Sequence, residues 1–340
     1  MSTSATNART PGRWVRRRRE VGVLLARRAA VSVPLLIVVS GVVFLLAAMS
    51  PFDPLAGYLG DRYERATPAQ RAELESALGL DRPWWQAWLL WASALVRGDL
   101  GTSRVFAQPV AQVIAERLPW TMLLSLSALV LALVLGLTLG LLAGLRPGSL
   151  LDLVCTAAAV IVQAVPPFVL SLVAITVLGL GLRLLPIGGV APPGEPLTAA
   201  TLLRHLVMPV TVLAISQTPW LLLSSRMSVR QALASDPVQA AAARGLPRRV
   251  VVTSHVLPVS LAPLVSVLGA RLPELIVGAV LVEEIFSWPG IAAALVASAQ
   301  QLDFSLLAVL TLASTLLVLL GSALADACYL LLDPRVSADA

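Results

Sequence analysis

The 340 residues are 57% hydrophobic and only 13% charged, with a mean hydropathy of +0.85, which excludes an ordinary water-soluble domain, where roughly 45–50% of residues are apolar. All 25 basic residues are arginine, so neither a lysine-tipped phosphate loop of the GxxxxGK[ST] kind nor a Schiff-base nucleophile is available. The net charge of +6 does not point to nucleic acid either, because the arginines gather at the N-terminus and between apolar runs, as membrane topology demands.

A bilayer core of about 30 Å takes about 20 apolar residues in a helix. Six stretches of that kind, near 30–50, 119–145, 152–182, 203–225, 259–285 and 305–328, predict an all-α membrane protein with six transmembrane helices. Residues 1–28, with Arg16 to Arg19, Arg27 and Arg28, are expected to be a cytoplasmic tail. The run that follows, Ala29 to Met49, is longer than a signal-peptide core and lacks a small-x-small site before Pro51. It is expected to stay as the first span, 29–50.

Residues 51–118 are long enough to translocate despite their seven arginines, which acids accompany, and predict an external helical segment. Thr67-Pro68 starts a helix that should run to Gly79. Beyond Pro83, Trp84, Trp88 and Trp91 share one helical face, with Trp85 beside them, as in an interfacial helix at the headgroups. Such a stripe marks packing or membrane contact more often than a binding cage.

Residues 119–328 form the expected core of spans two to six, followed by a cytoplasmic tail, 329–340. Cys155 and Cys328, near span ends, are expected as small apolar core residues, and Pro166 and Pro167 should kink span three. Arg226, Arg230, Arg244, Arg248 and Arg249 place the segment 227–258 in the cytoplasm, whereas 287–303, free of arginine, is external. Both termini then lie inside.

The segment 227–258 carries a short polar helix, Pro237 to Arg244, stopped by Gly245 in the left-handed position that suits glycine after a helix. Alanines 240, 241 and 243 form a surface that another protein's groove could approach closely. A plain hairpin between two spans would give the same alanines and glycine. What distinguishes the stretch is that Gln239-Ala240-Ala241, Gly245 and Leu257-Pro258 resemble the coupling motif of binding-protein-dependent ABC importers, Glu-Ala-Ala, three residues, Gly, then an apolar residue, any residue, Leu-Pro. Gln239 stands where the motif has an acid, and His255 where it has an apolar residue, two departures common in peptide-type permeases.

Further matches to the dipeptide, oligopeptide and nickel permeases follow in order. They are Pro51 to Pro54, Leu78 to Pro83, Gly98 to Ser103, Leu185-Pro186 with Gly188-Gly189, His205 to Pro209, Val282 to Gly290 and Asp333 to Arg335. An asparagine expected before Asp326 is replaced by Ser322.

The resemblance implies a permease subunit in the bacterial inner membrane that is not itself catalytic and holds no cofactor or metal. Its implied partners are a homologous second permease, two cytoplasmic ATPases that use ATP and Mg, and an external binding protein or lipoprotein. Gln239, Ala240, Ala241, Arg244, Gly245, Leu257 and Pro258 would couple it to the ATPase. The implied cargo is a peptide, with nickel or another small solute as the alternative. Arg271 and Glu274, three apart in span five where a charge costs about 2.5–3.5 kcal/mol, would line the pathway or pair with each other against the partner permease. Glu283 matches a family position near the external gate, although it and Glu284 could simply be hydrated. A secondary transporter is expected to show inverted repeats, and an intramembrane enzyme HExxH, GxSxG or a cysteine paired with histidine; none is visible.

Overall fold

The computed structural model describes residues 13–51, 55, 59–78, 81–261, 264, 278–301 and 303–332. Among these, four helices are long and apolar enough to cross a membrane, and a bent helix pair is a fifth candidate. The expected span 259–285 lies largely outside the described residues, as do Arg271, Glu274 and Asp333 to Arg335.

Helix α1 (Arg13–Ala48) begins well before residue 29, because arginine is a good helix former and nothing between Arg13 and Ala29 stops the helix. Helix α2 (Pro68–Leu78) opens on a capping box, in which the Gln70 N–H donates to Thr67 Oγ1 at 3.3 Å and the Thr67 N–H to Gln70 Oε1 at 3.0 Å. Helix α3 (Trp84–Val96) lies against α1: the Trp88 indole donates to Ser40 Oγ at 3.0 Å, and the Trp91 and Phe44 rings are 5.3 Å apart. These two tryptophans of the stripe therefore serve packing.

A hairpin follows that the sequence did not announce. Strands β1 (Thr102–Ser103) and β2 (Gln108–Pro109) pair antiparallel, Thr102 opposite Pro109 and Ser103 opposite Gln108. Buried Asp303 pins it from 200 residues away: its Oδ2 accepts the Ser103 hydroxyl at 2.7 Å and the Arg104 and Val105 N–H groups at 2.8 and 3.1 Å. A carboxylate fully supplied with donors in this way is stable when buried.

The centre of the bundle is helix α4 (Val110–Gly144) against helix α7 (Ala199–Leu233). Gly136, Gly140 and Gly144, spaced by four, form one stripe of α4 on which α7 lies. A Cβ on Gly136 would stand 2.4 Å from Leu221 Cβ, one on Gly140 2.6 Å from the Leu222 carbonyl oxygen, and one on Gly144 2.8 Å from Val229 Cβ. Small residues at this spacing let helix backbones approach, the usual basis of tight packing in membranes. In the most apolar window of α7 67% of residues are buried, against 6% in α1, which makes α7 the scaffold and α1 the periphery.

Between them, span three is not a kinked helix. Helix α5 (Leu150–Gln163) ends, and helix α6 (Pro167–Ala174), continued by a π-helical stretch (Ile175–Gly181), leaves at 101°. Two successive prolines explain the break. Each disfavours the helical region for the residue before it; Pro166 is extended, with ψ 147°, and Pro167 then suits the first turn of the new helix.

Beyond α7 come helix α8 (Asp236–Ala243) and helix α9 (Arg248–Val251), the latter running on as a π-helical turn (Val252–Val256). A helical stretch at 278–285 leads into a turn, and then to helix α10 (Ile291–Gln300) and helix α11 (Phe304–Leu332). The ten-residue α10 occupies most of what was expected to be a plain external loop. Arg28 of α1 forms an ion pair with Asp326 of α11, so Asp326 has a partner without the missing asparagine.

Candidate functional site

Helix α8 hangs directly from the end of α7, with only two residues between them. Asp236 and Pro237 occupy its first turn, an acid favoured by the helix dipole and a proline with no N–H to leave unpaired. Its far end closes as a Schellman turn: the Leu246 N–H reaches the Ala241 carbonyl at 3.4 Å and the Gly245 N–H the Ala242 carbonyl at 3.0 Å. Gly245 has φ +78°, which an L side chain rarely adopts. The helix spans one residue earlier at its start than Pro237, and Arg244 is its C-cap.

Eight residues cannot hold a helix alone; burial of one face does. Val238 and Ala241 are buried with Val229, Ala232, Val251 and Val256, over Leu141 and Leu145 of the α4 end. Ala241 therefore faces the chain's own core, which corrects its expected place on the outward surface. The exposed face is formed by Gln239, Ala240, Ala242, Ala243 and Arg244. Ala242 belongs to the exposed face because the helical period is anchored on the buried Val238.

The Gln239 amide donates to the Ala234 carbonyl at 3.2 Å, at the end of α7. A carboxylate could not make that bond, having no hydrogen to give. Leu257 and Pro258 follow the π-helical turn, Leu257 part-buried and Pro258 exposed.

The elements on either side of α8 are braced by the turn that joins α4 to α5. Arg226 of α7 forms a two-pronged ion pair with buried Asp152 of α5, its Nη2 at 3.0 Å from Oδ2. Asp152 also accepts the Gly148 N–H at 2.9 Å, and Arg248 Nη2 donates to the Leu145 carbonyl at 3.2 Å. The turn from Leu145 to Asp152 is thus tied to both elements that flank α8. Sequence reasoning missed this pair, since nothing in spacing relates positions 152 and 226.

About 30 Å away along α4, judged from 20 residues at about 1.5 Å each, Glu283 occupies a second polar cluster. It is fully buried, and its Oε2 accepts the Ala292 N–H at 2.9 Å. The turn after it is fastened to α4. The Trp288 indole donates to the Trp120 carbonyl at 3.0 Å, the Ile291 N–H to Thr121 Oγ1 at 2.9 Å, and Arg117 to the Gly290 carbonyl at 3.3 Å. Glu283 is buried, with Oε1 lacking a hydrogen-bond partner, whereas Glu284 is exposed.

The exposed face of α8 presents mainly methyl groups, and backbone N–H groups of α10 occupy one oxygen each of Thr121 and Glu283 in the second cluster. The sequence profile described as the inner membrane component of binding-protein-dependent transport systems matches residues 136–338, which include α8 and everything that supports it. The chain belongs to this family.

Curated relatives extend the match to nearly the whole length. The oligopeptide transport system permease protein of Bacillus subtilis is 33% identical over 92% of this chain and 98% of its own. The dipeptide transport system permease protein of Lactococcus lactis is 31% identical over 93% and 99%, and that of Escherichia coli 28% over 92% and 98%. As a member of the family the chain is a multi-pass membrane permease component of an ABC importer and not an enzyme in its own right.

Proposed function

We propose that this permease subunit forms half of a translocation pathway for peptides, and that α8 is the element through which a cytoplasmic ATPase drives it. Peptide is preferred over nickel or another small solute because the similar relatives are named as oligopeptide and dipeptide permeases. The observation that carries the coupling role is the exposed face of α8, methyl groups at 240, 242 and 243 flanked by Arg244, on a helix whose other face is fixed to α7 and α9. Small side chains let a partner's groove reach the helix backbone. The Val238 contact and the Gln239–Ala234 hydrogen bond make α8 move with α7 as one body, and the Arg226–Asp152 pair joins α5 to it.

In this reading a homologous permease completes the pathway, two ATPases supply ATP hydrolysis with Mg, and an external binding protein or lipoprotein delivers cargo. Both termini lie in the cytoplasm with α8, and α2, α3 and the β-hairpin lie outside. Arg271, Glu274 and Glu283 are assigned to the pathway, the first two as direct contacts or as a pair facing the partner permease. A secondary transporter is disfavoured by the family match.

Photo-crosslinkers placed at 240, 242 and 243 in the assembled transporter should capture the ATPase, whereas one at 241 should not. Capture of no ATPase from any of the three in a transporting assembly would overturn the coupling role. Copurification of two ATPases and ATP-dependent peptide uptake in vesicles test the rest.

A further inference from the structure

A cavity of about 180 Å³ lies between the Ile114–Thr121 side of α4, residues 313–320 of α11, and α10. Its lining is apolar except for Thr121, Glu283 and Ser314. Helix α10 packs against both α4 and α11 and contributes Ile291, Ala292 and Leu295 to the wall. It joins the turn after 285 to the beginning of α11 and so lies at the outer end of the bundle, if α8 marks the inner end. At ten residues it is too short to cross a bilayer. It is a cover.

Something must seat this cover, because its own cap is missing: Gly290, the N-cap, has no side chain to accept the first N–H groups. Two borrowed oxygens take that role. Thr121 Oγ1 accepts the Ile291 N–H and Glu283 Oε2 the Ala292 N–H, each at 2.9 Å. The glycine is required for another reason. A Cβ at position 290 would stand 2.2 Å from Glu283 Oε2, so any side chain there would displace the carboxylate. Its φ of −85° is ordinary, which leaves space and not backbone conformation as the constraint. Gly290 and Glu283 are thus two halves of one contact, and Trp288, fully buried against Trp120, brings them together.

We propose that α10 is the outer cover of this cavity and that Glu283 is the positioning residue that seats it, acting as a hydrogen-bond acceptor on the N-terminus of α10 and not as a contact to cargo. The inference rests on the orientation given above. It makes Glu283, Gly290 and Ala292 a single device and gives Glu283 Oε2 its role, while Oε1 is buried at the cavity wall without a hydrogen-bond partner.

The test uses the complete transporter in intact cells, in a form with Cys155 and Cys328 replaced by alanine. Ser314→Cys reports on the cavity, and Glu73→Cys, exposed on α2, reports on orientation. A membrane-impermeant maleimide should label position 73 readily and position 314 slowly. Glu283→Ala should raise labelling at 314 by about tenfold or more, the scale set by losing a hydrogen bond to a charged acceptor in a buried site. Ala292→Pro should do the same: it deletes the N–H while proline is tolerated in a first turn, and it carries the test if Glu283→Ala does not assemble. Glu283→Gln keeps an acceptor oxygen and should stay within about twofold of the parent.

Unchanged labelling at 314 in Ala292→Pro or in an assembled Glu283→Ala overturns the proposal, and so does a Glu283→Gln variant that behaves like Glu283→Ala, since charge rather than acceptor geometry would then be what matters. Failure of position 73 to label overturns the orientation instead, a result separable from the other two.

Discussion

The two ends of the α4–α7 pair solve opposite problems. At the α8 end the Arg226–Asp152 pair joins the neighbouring helices, and the exposed face of α8 consists of methyl groups between Gln239 and Arg244. At the α10 end a hydroxyl, the Trp288 indole and one oxygen of a carboxylate are turned inward and bonded within the chain, while the second Glu283 oxygen is buried without a hydrogen-bond partner. The first arrangement leaves a stiff, small-featured surface for something else to grip; the second leaves little to grip and closes on itself. Burial direction, not residue type, separates a docking surface from a staple.

The strongest way to break that contrast is to remove the ion pair between the helices beside α8. Asp152→Ala leaves the part-buried Arg226 guanidinium without its carboxylate, and losing hydrogen bonds to a charged group costs about 1.5–3 kcal/mol. Thermal unfolding of the purified transporter should show a large loss in stability, and joint replacement of Asp152 and Arg226 by leucine should restore most of it. A loss no greater than that of a surface substitution would mean that the pair does not hold α5 to α7.

Next in size is the glycine stripe that both ends share. Gly140→Leu drives a side chain into the Leu222 carbonyl and the Ser225 side chain, each 2.6 Å from the first added carbon. Overpacking of this kind costs about 1–3 kcal/mol, and should weaken assembly and unfolding stability together. The same substitution at Gly148, where a Cβ would meet nothing within 4 Å, should strain only the local turn and leave helix packing alone.

How far the sequence could have led depends on which physical signal each feature leaves. Long apolar runs announced α1, α4, α7 and α11, and the Thr67-Pro68 cap announced α2 to within a residue or two. Tandem proline signalled trouble at 166–167, but a kink and a right-angled break have the same sequence pattern, and only packing of α5 and α6 on α7 distinguishes them. The α8 helix and its glycine were legible because helix ends have local chemistry. Its orientation was not: whether Ala241 or Ala242 faces outward depends on which way Val238 points, and that is decided by Val229 and Val251. Long-range pairs such as Ser103 with Asp303, Asp152 with Arg226 and Thr121 with the start of α10 leave no periodic trace at all.

The face of α8 offers a paired prediction. Ala242→Leu, on the exposed side, should change stability by less than about 0.5 kcal/mol, as surface substitutions do, yet reduce ATPase binding, measured by pull-down, by about tenfold through steric obstruction of the groove, equivalent to about 1.4 kcal/mol. Ala241→Leu should do the reverse, costing about 1–3 kcal/mol through overpacking against Val229 and Val256. If both substitutions acted alike, the assignment of inner and outer faces would fail.

The smallest effect belongs to Gln239, and it is the sharpest test of how the two ends differ. Its amide spends a hydrogen on the Ala234 carbonyl, which ties the first turn of α8 to the last turn of α7. Gln239→Glu removes that donor while keeping shape, and an exposed hydrogen bond is worth about 0.5–1.5 kcal/mol. Amide exchange of residues near the α7–α8 junction should accelerate by several-fold or less, with ATPase binding nearly unchanged. Were the amide instead a contact to the ATPase, binding would fall by about tenfold, as for Ala242→Leu, and exchange in the isolated subunit would stay as it was. The departure from the family's acid at this position would then reflect the partner's groove, whereas the observed geometry attributes it to the chain's own backbone.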